Sequence, residues 1–183
     1  SPAIALKYAL RALDFEAGSA VIISALAPAW QYTVLTELGY TCVIADVSEE
    51  NGLITPETAE QAVKAGGRVL LLHEGLGQIP DFAALLELGI PVIEDISQNA
   101  GAVVGDKCTG TFGTFAILGL EENDILTAGG GAVLASAQSR NWSPLRKIAE
   151  QAPSTDLLPD INAALAYVQL KEAVRNEQIR KEI

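Results

Sequence analysis

Four short, solidly apolar runs decide what this chain can fold into. Val21-Ile22-Ile23, Cys42-Val43-Ile44-Ala45, Val69-Leu70-Leu71-Leu72 and Ile90-Pro91-Val92-Ile93 have the length of strands, and segments of helical period lie between them. A strand with one face in water alternates apolar and polar residues, whereas one buried on both faces reads as an unbroken run of Val, Ile and Leu. Such strands alternating with helices form βαβ units, whose strands lie mostly parallel under helices on both faces. The expected class is therefore α/β: a three-layer αβα arrangement around a mostly parallel central sheet.

The helical segments carry their own punctuation. Ser1-Pro2 predicts a helix start, with Ser able to cap and Pro suited to the first helical position. Ala3, Leu6, Leu10 and Leu13 follow at helical spacing, and Gly18 ends the pattern. A second helix is expected over 29–38, closed by Gly39. A third opens at Thr55-Pro56-Glu57 and stops at Gly66-Gly67, and a fourth covers 82–88. After Asp95, short strands are expected near 102–104 and 114–118, then a glycine run, Gly129-Gly130-Gly131, feeding Ala132-Val133-Leu134. The last helix is expected over 159–181, with Ile161, Leu165 and Val168 as its apolar stripe. No C-cap signal precedes Ile183, as though the structure continued or a partner were missing. With 183 residues and neither internal repeat nor low-complexity linker, residues 1–183 are expected to form a single domain.

Charge narrows the function classes. The chain has 23 acidic residues against 12 basic, a net charge of −11, so most of its surface repels a nucleic-acid backbone or an anionic membrane. Its one basic cluster, Lys171 to Lys181, is interleaved with Glu172 and Glu177 and reads as a solvated helix face. No apolar run approaches the roughly 20 residues of a membrane span, and no signal-peptide pattern opens the chain. Cys42 and Cys108, isolated from each other, read as free thiols in a reducing compartment, so the cytoplasm is expected. No zinc-ligand spacing occurs, so no metal site is expected. A histidine-based triad would have to use His73 alone, and Ser24, Ser97 and Ser136 lack a nucleophile-elbow context.

In an open parallel sheet, ligands sit beyond the carboxyl ends of the strands. Asp95 occupies such a place, directly after Val92-Ile93-Glu94, with Gln98 three residues on. Its carboxylate can hold a positive ring nitrogen or a ribose hydroxyl, or it can cap the short turn Ile96-Ser97-Gln98; position alone leaves both open. The glycine run could cradle an anion through its amides, yet it lacks phosphate-loop spacing and leads into a strand, which favours a plain turn. Trp30 and Tyr32 are candidates for an aromatic ligand wall, or for core or interface residues at a helix start.

Taken in order, these pieces resemble the large domain of the DegT/DnrJ/StrS sugar aminotransferases, fold-type-I enzymes that use pyridoxal phosphate (PLP). The stretch Pro91-Val92-Ile93-Glu94-Asp95-Ile96-Ser97-Gln98-Asn99-Ala100-Gly101-Ala102 is similar to the family's "PVIEDAAQAHGA". Ala9-Leu10-Arg11-Ala12-Leu13, Thr111-Phe112-Gly113, Gly130-Gly131-Ala132-Val133 and Ala163-Ala164-Leu165 support it. The resemblance implies that Asp95 pairs with the protonated pyridine nitrogen, keeping the ring an electron sink. It also implies that Gln98 lies against the ring near its phenolic oxygen, and that the protein is a homodimer.

The other implied contacts fail. Where the family opens its first helix with Ser-Gly-Thr, this chain has Ser1, Pro2 and Ala3. The ring-stacking aromatic falls on Pro28 and the phosphate-binding Ser on Gly119. The Schiff-base lysine falls at Asn123 or Asp124, and no lysine lies between Lys107 and Lys147. The related dehydratases with His at this place offer no precedent, because no histidine is there either. The family's N-terminal segment and small C-terminal domain are also unmatched. The expectation is a degenerate aminotransferase-like domain with no catalytic residue and no firm cofactor, acting as a binding or scaffolding module with a small-molecule ligand near Asp95. The alternatives are an active PLP enzyme whose lysine comes from elsewhere, Lys107 or a partner chain, and an unrelated nucleotide-binding domain. No glycine fingerprint supports the last.

Overall fold

A computed structural model describes residues 1–182. Its elements run α1 (Pro2–Ala12), β1 (Ala20–Ser24), α2 (Ala29–Glu37), β2 (Thr41–Ala45), α3 (Pro56–Lys64), β3 (Val69–His73), α4 (Phe82–Glu87) and β4 (Val92–Asp95). There follow β5 (Val103–Val104), β6 (Lys107–Cys108), β7 (Phe115–Gly119), β8 (Ala132–Ala135), α5 (Trp142–Gln151) and α6 (Asp160–Glu182). Six strands make one sheet in the order β2-β1-β3-β4-β7-β8, parallel except for β8, which runs antiparallel to β7. This is the mostly parallel α/β sheet that the apolar runs predicted.

Alternation along each strand sends its side chains to two cores. Val21, Ile23, Val69, Leu71, Ile93, Phe115 and Ile117 pack with Leu6 and Leu10 of α1 and Leu35 of α2. Ile22, Leu70, Leu72 and Val92 face the other way, onto Ala59 and Ala62 of α3 and Phe82 and Leu85 of α4. Helices thus cover both faces, which is why the central strands carry no polar face. Gly67, just before β3, is needed for this packing: a Cβ there would collide with the Ile22 side chain.

Several local expectations are corrected. Ser1 stands at the N-cap of α1 but makes no side-chain capping bond; its carbonyl accepts from Ile4 and Ala5. That helix closes at Leu13 with Asp14 at φ 57°, ahead of Gly18. β4 starts at Val92, after Ile90-Pro91, and Asp95 is its last residue. Val103–Val104 forms a separate two-stranded ribbon with Lys107–Cys108, a partner that the sequence did not announce. The stripe expected to bury α6 is exposed: Ile161 is 72% accessible and Val168 57%. Apolar residues lie on more than one side of this helix, and the side that meets the domain carries Ala166 and Ala173. The missing C-cap at Ile183 lies outside the described residues. No helix among the described residues is long and apolar enough to cross a membrane.

Candidate functional site

Beyond the carboxyl ends of β3, β4 and β7 lies a cleft of about 430 Å³. It gathers residues that are far apart in sequence: Ser1, Pro2 and Ala3 from the start of α1, Pro28 and Trp30 from the start of α2, and His73 and Asp95 from the ends of their strands. Ser97 and Gln98 follow β4, and Glu121, Asn123 and Asp124 follow β7. Asp95, Gln98, Asn123 and Asp124, singled out from sequence, therefore line one cavity. Trp30 is half-buried in its wall and also packs on the α1 side of the core, whereas Tyr32 is exposed and elsewhere.

Asp95 forms the floor and is only 1% accessible. Its Oδ1 accepts from the Ser97 amide at 3.3 Å and the Ser97 hydroxyl at 2.6 Å, so one oxygen caps the turn. Its Oδ2 accepts from Gln31 Nε2 at 2.7 Å and faces His73 Nδ1 at 3.3 Å. Parallel pairing of His73 with Asp95 across β3 and β4 puts the imidazole there. A carboxylate only accepts, so Nδ1 carries the proton in this contact. Ser97 Oγ in turn accepts from the Gly119 amide at 2.9 Å, which makes Ser97 a structural link between β4 and β7. Gln98 Oε1 accepts from the Leu76 amide at 3.3 Å.

The far side of the cleft is acidic. Asp124 Oδ2 accepts from the Glu121 amide at 2.8 Å and fills the volume that a side chain on Gly119 would need. Burial pushes the Asp124 carboxyl above its ordinary range, the charges of Asp95 and Glu121 add to the rise, and the Glu121 amide opposes it. Asn123 is exposed at the rim. Gly129, Gly130 and Gly131 all take positive φ, and two of their amides are spent within the chain. The Gly131 amide donates to Glu121 Oε1 at 3.4 Å and the Gly130 amide to the Leu120 carbonyl at 3.0 Å, so the run is a turn stabilised from within.

Two buried residues were not visible in the sequence as site components. Gln31 is fully buried beneath the cleft, bound to Asp95, and its Oε1 has no partner. Glu74, directly after β3, is also fully buried, and its Oε2 accepts from Asn99 Nδ2 at 2.8 Å. Burial pushes the Glu74 carboxyl up to about 9; Glu94 and Asp95 nearby add to the rise and the Asn99 bond opposes it. Glu94 stays anchored by the amides of Gly110, Phe112 and Gly113. Only the strand register, which runs His73 and Asp95 side by side, could have hinted at this cluster.

Lys107, weighed as a substitute amine, sits on the ribbon with its ammonium 5.8 Å from the centre of the Phe112 ring, and does not line the cleft. Among the described residues no Lys or Arg lines it.

The sequence model of the DegT/DnrJ/EryC1/StrS aminotransferase family matches residues 1–183. The L-glutamine:2-deoxy-scyllo-inosose aminotransferase of Micromonospora echinospora is 29% identical over 91% of this chain and 46% of its own length. The structure of DesV from S. venezuelae, in complex with a ketimine intermediate, superposes with a TM-score of 0.83 at 23% identity, covering 94% of this chain and 50% of that one. The structure of 3-amino-5-hydroxybenzoic acid synthase gives a TM-score of 0.86 at 22% identity, covering 99% of this chain and 52% of that one. The chain thus spans about half the length of these proteins and shares their fold.

Proposed function

The chain belongs to the DegT/DnrJ/EryC1/StrS aminotransferase family, and from that premise we propose that it is a member without transaminase activity, whose cleft serves as a binding site. The observation that carries this reading is the lining of the cleft: Asn123 and Asp124 stand where the resemblance places the Schiff-base lysine, and among the described residues no amine-bearing side chain lines it. Transamination uses that amine twice, to hold the aldehyde covalently and then to carry the proton.

The donor set does not fit PLP. Its phosphate needs amides, hydroxyls or cations, yet Pro2 has no N–H and Gly119 no hydroxyl, and the space beside Gly119 holds the Asp124 carboxylate. Placing a phosphate near Asp95, Glu121 and Asp124 sets like charges together in a partly desolvated cavity, which costs binding free energy. Asp95 and Gln98 remain as candidate ligand contacts, though Asp95 is already bound to Ser97, Gln31 and His73.

In this reading residues 1–183 form one aminotransferase-like unit. It pairs with a second copy, which the exposed apolar residues of α6 support. It works in the cytoplasm, where Cys42 and Cys108 stay free thiols. The test is a PLP titration of the folded protein, read by visible absorbance, borohydride reduction and intact mass. No shifted band and no pyridoxyl adduct is the expected result. A reducible adduct on any lysine, including one supplied by a partner copy, would restore the reading of an active enzyme.

A further inference from the structure

The segment that follows β3 is fastened to the fold by polar contacts alone. Residues 75–79 send no side chain into the apolar cores. Leu76 is 87% accessible and takes φ 54°, a left-handed backbone that costs a side-chain-bearing residue free energy. Two side chains from the turn after β4 hold the segment down. Gln98 Oε1 accepts from the Leu76 amide at 3.3 Å, and Asn99 Nδ2 donates to the Gln78 carbonyl at 3.2 Å and to Glu74 Oε2 at 2.8 Å. The segment lies directly on residues of the cleft: a Cβ on Gly75 would stand 3.1 Å from His73 Nε2 and 4.0 Å from Gln98 Oε1. With so few apolar contacts it can open without the rest of the domain.

Glu74 is the root of this segment, fully buried, and its Oε1 has no partner among the described residues. Beside it stands Glu94, whose oxygens accept from the amides of Gly110 at 2.7 Å and Phe112 at 2.9 Å. A protonated Glu74 donates its O–H to Glu94 and leaves no buried atom unsatisfied. An ionised one sets two carboxylates together out of water. The other titratable neighbours offer no relief. Asp95 of β4 is a third acid, His73 spends its Nδ1 on Asp95, Asp81 caps α4, and among the described residues no cation pairs with Glu74.

We propose that residues 74–79 form a strap over the β3 end of the cleft, locked by the proton between Glu74 and Glu94, and that loss of this proton to water lets the strap swing out and uncover His73 and Gln98. The strap works the same whatever the cleft binds. Closed, it keeps the Glu74 proton up to about pH 9; open, Glu74 stands in water and gives the proton up near 4.5. Opening therefore releases a proton throughout that interval. The open fraction rises about tenfold per pH unit and levels off above pH 9.

Amide hydrogen exchange of the native chain, resolved by NMR at pH 6, 7 and 8, reads the opening once each rate is divided by that of the unstructured chain at the same pH. The amides of Glu74 and Leu76 should lose protection by about 100-fold from pH 6 to pH 8. They should also open far more often than Leu71 in β3, which exchanges through larger unfolding. Glu74→Gln keeps a donor toward Glu94 at every pH and has no proton to lose, so its strap should show no such slope. Any contribution from His73 persists in the variant and is subtracted by the comparison. Should the variant fail to fold, the native slope and the gap between the strap and Leu71 decide. A flat native profile, the same slope in Glu74→Gln, or strap amides that open only as rarely as Leu71 would overturn the proposal.

Discussion

Glu74→Gln isolates the energetic consequence of burying a carboxyl under the cleft. Glu74 is fully inaccessible and its carboxyl is pushed up to about 9, so the folded state keeps its proton at neutral pH while the unfolded chain releases it near 4.5. Between those values the folded state holds one more proton. Its advantage is fully present below 4.5 and is lost as pH rises toward 9, by about 1.4 kcal/mol per pH unit. From pH 6 to pH 8 the native protein should therefore lose about 3 kcal/mol through this one residue. A chain of this length unfolds with an entropy of about 0.4 kcal/mol per kelvin, so the loss corresponds to a fall in midpoint of roughly 7 °C. Glutamine has the shape of protonated glutamate: its carbonyl can accept from Asn99 and its amide can donate toward Glu94. Thermal unfolding of both proteins at pH 6, 7 and 8 is the assay. Groups common to both, including Asp124, cancel to first order in the difference. The Gln variant should gain on the native protein by about 7 °C across that range. Parallel midpoints would mean that Glu74 is ionised in the fold and that the buried cluster is charged differently from the description above.

Three further outcomes test the frame that holds the cleft. Glu94→Gln removes an acceptor that serves the amides of Gly110, Phe112 and Gly113, and should cost about 2–4 kcal/mol in urea unfolding, because an amide nitrogen cannot replace a carboxylate oxygen. Leu71→Ala, at the fully buried centre of the α1-side core, should cost about 2–5 kcal/mol by the same measurement. Ile161→Asp with Val168→Asp, at exposed positions of α6, should leave the unfolding free energy of the isolated chain within about 0.5 kcal/mol. The same pair should shift the mass measured by light scattering from dimer toward monomer; an unchanged dimer would place the contact elsewhere.

The sheet was legible because its signal is periodicity, and periodicity survives substitution. Val69-Leu70-Leu71-Leu72 can be buried on both faces in only one kind of architecture, and helices do cover both of its faces. In α6 the same signal misleads, because helical spacing says nothing of what covers the face it marks. Ile161, Leu165 and Val168 keep helical spacing, but the domain offers their side of α6 nothing to pack against. The ribbon partner Lys107–Cys108 was invisible because a two-residue strand carries no period. At the cleft, Asp95, Gln98 and the Asn123-Asp124 position were found through one motif and one glycine run. Gln31 and Glu74 were not, since what makes them matter is burial, and a lone Gln or Glu in a sequence carries no mark of it.

Asp95 shows why a retained family residue is weak evidence for a retained chemistry. Each of its oxygens has work within the chain: Oδ1 fixes the turn through Ser97, which ties β4 to the Gly119 amide, and Oδ2 holds Gln31 and His73. Replacing it by Ala would leave the fully buried Gln31 amide without an acceptor, at a cost of about 1–3 kcal/mol whether or not any cofactor ever binds. The fold alone is therefore enough to keep an acid there. Asn123 is under no such constraint: it is exposed at the rim, and a lysine could stand there without disturbing any buried contact. Structure demands an acid at position 95 and is indifferent to the residue at 123, so the proposed loss of transamination stands or falls with Asn123 and its acidic neighbour Asp124, not with Asp95.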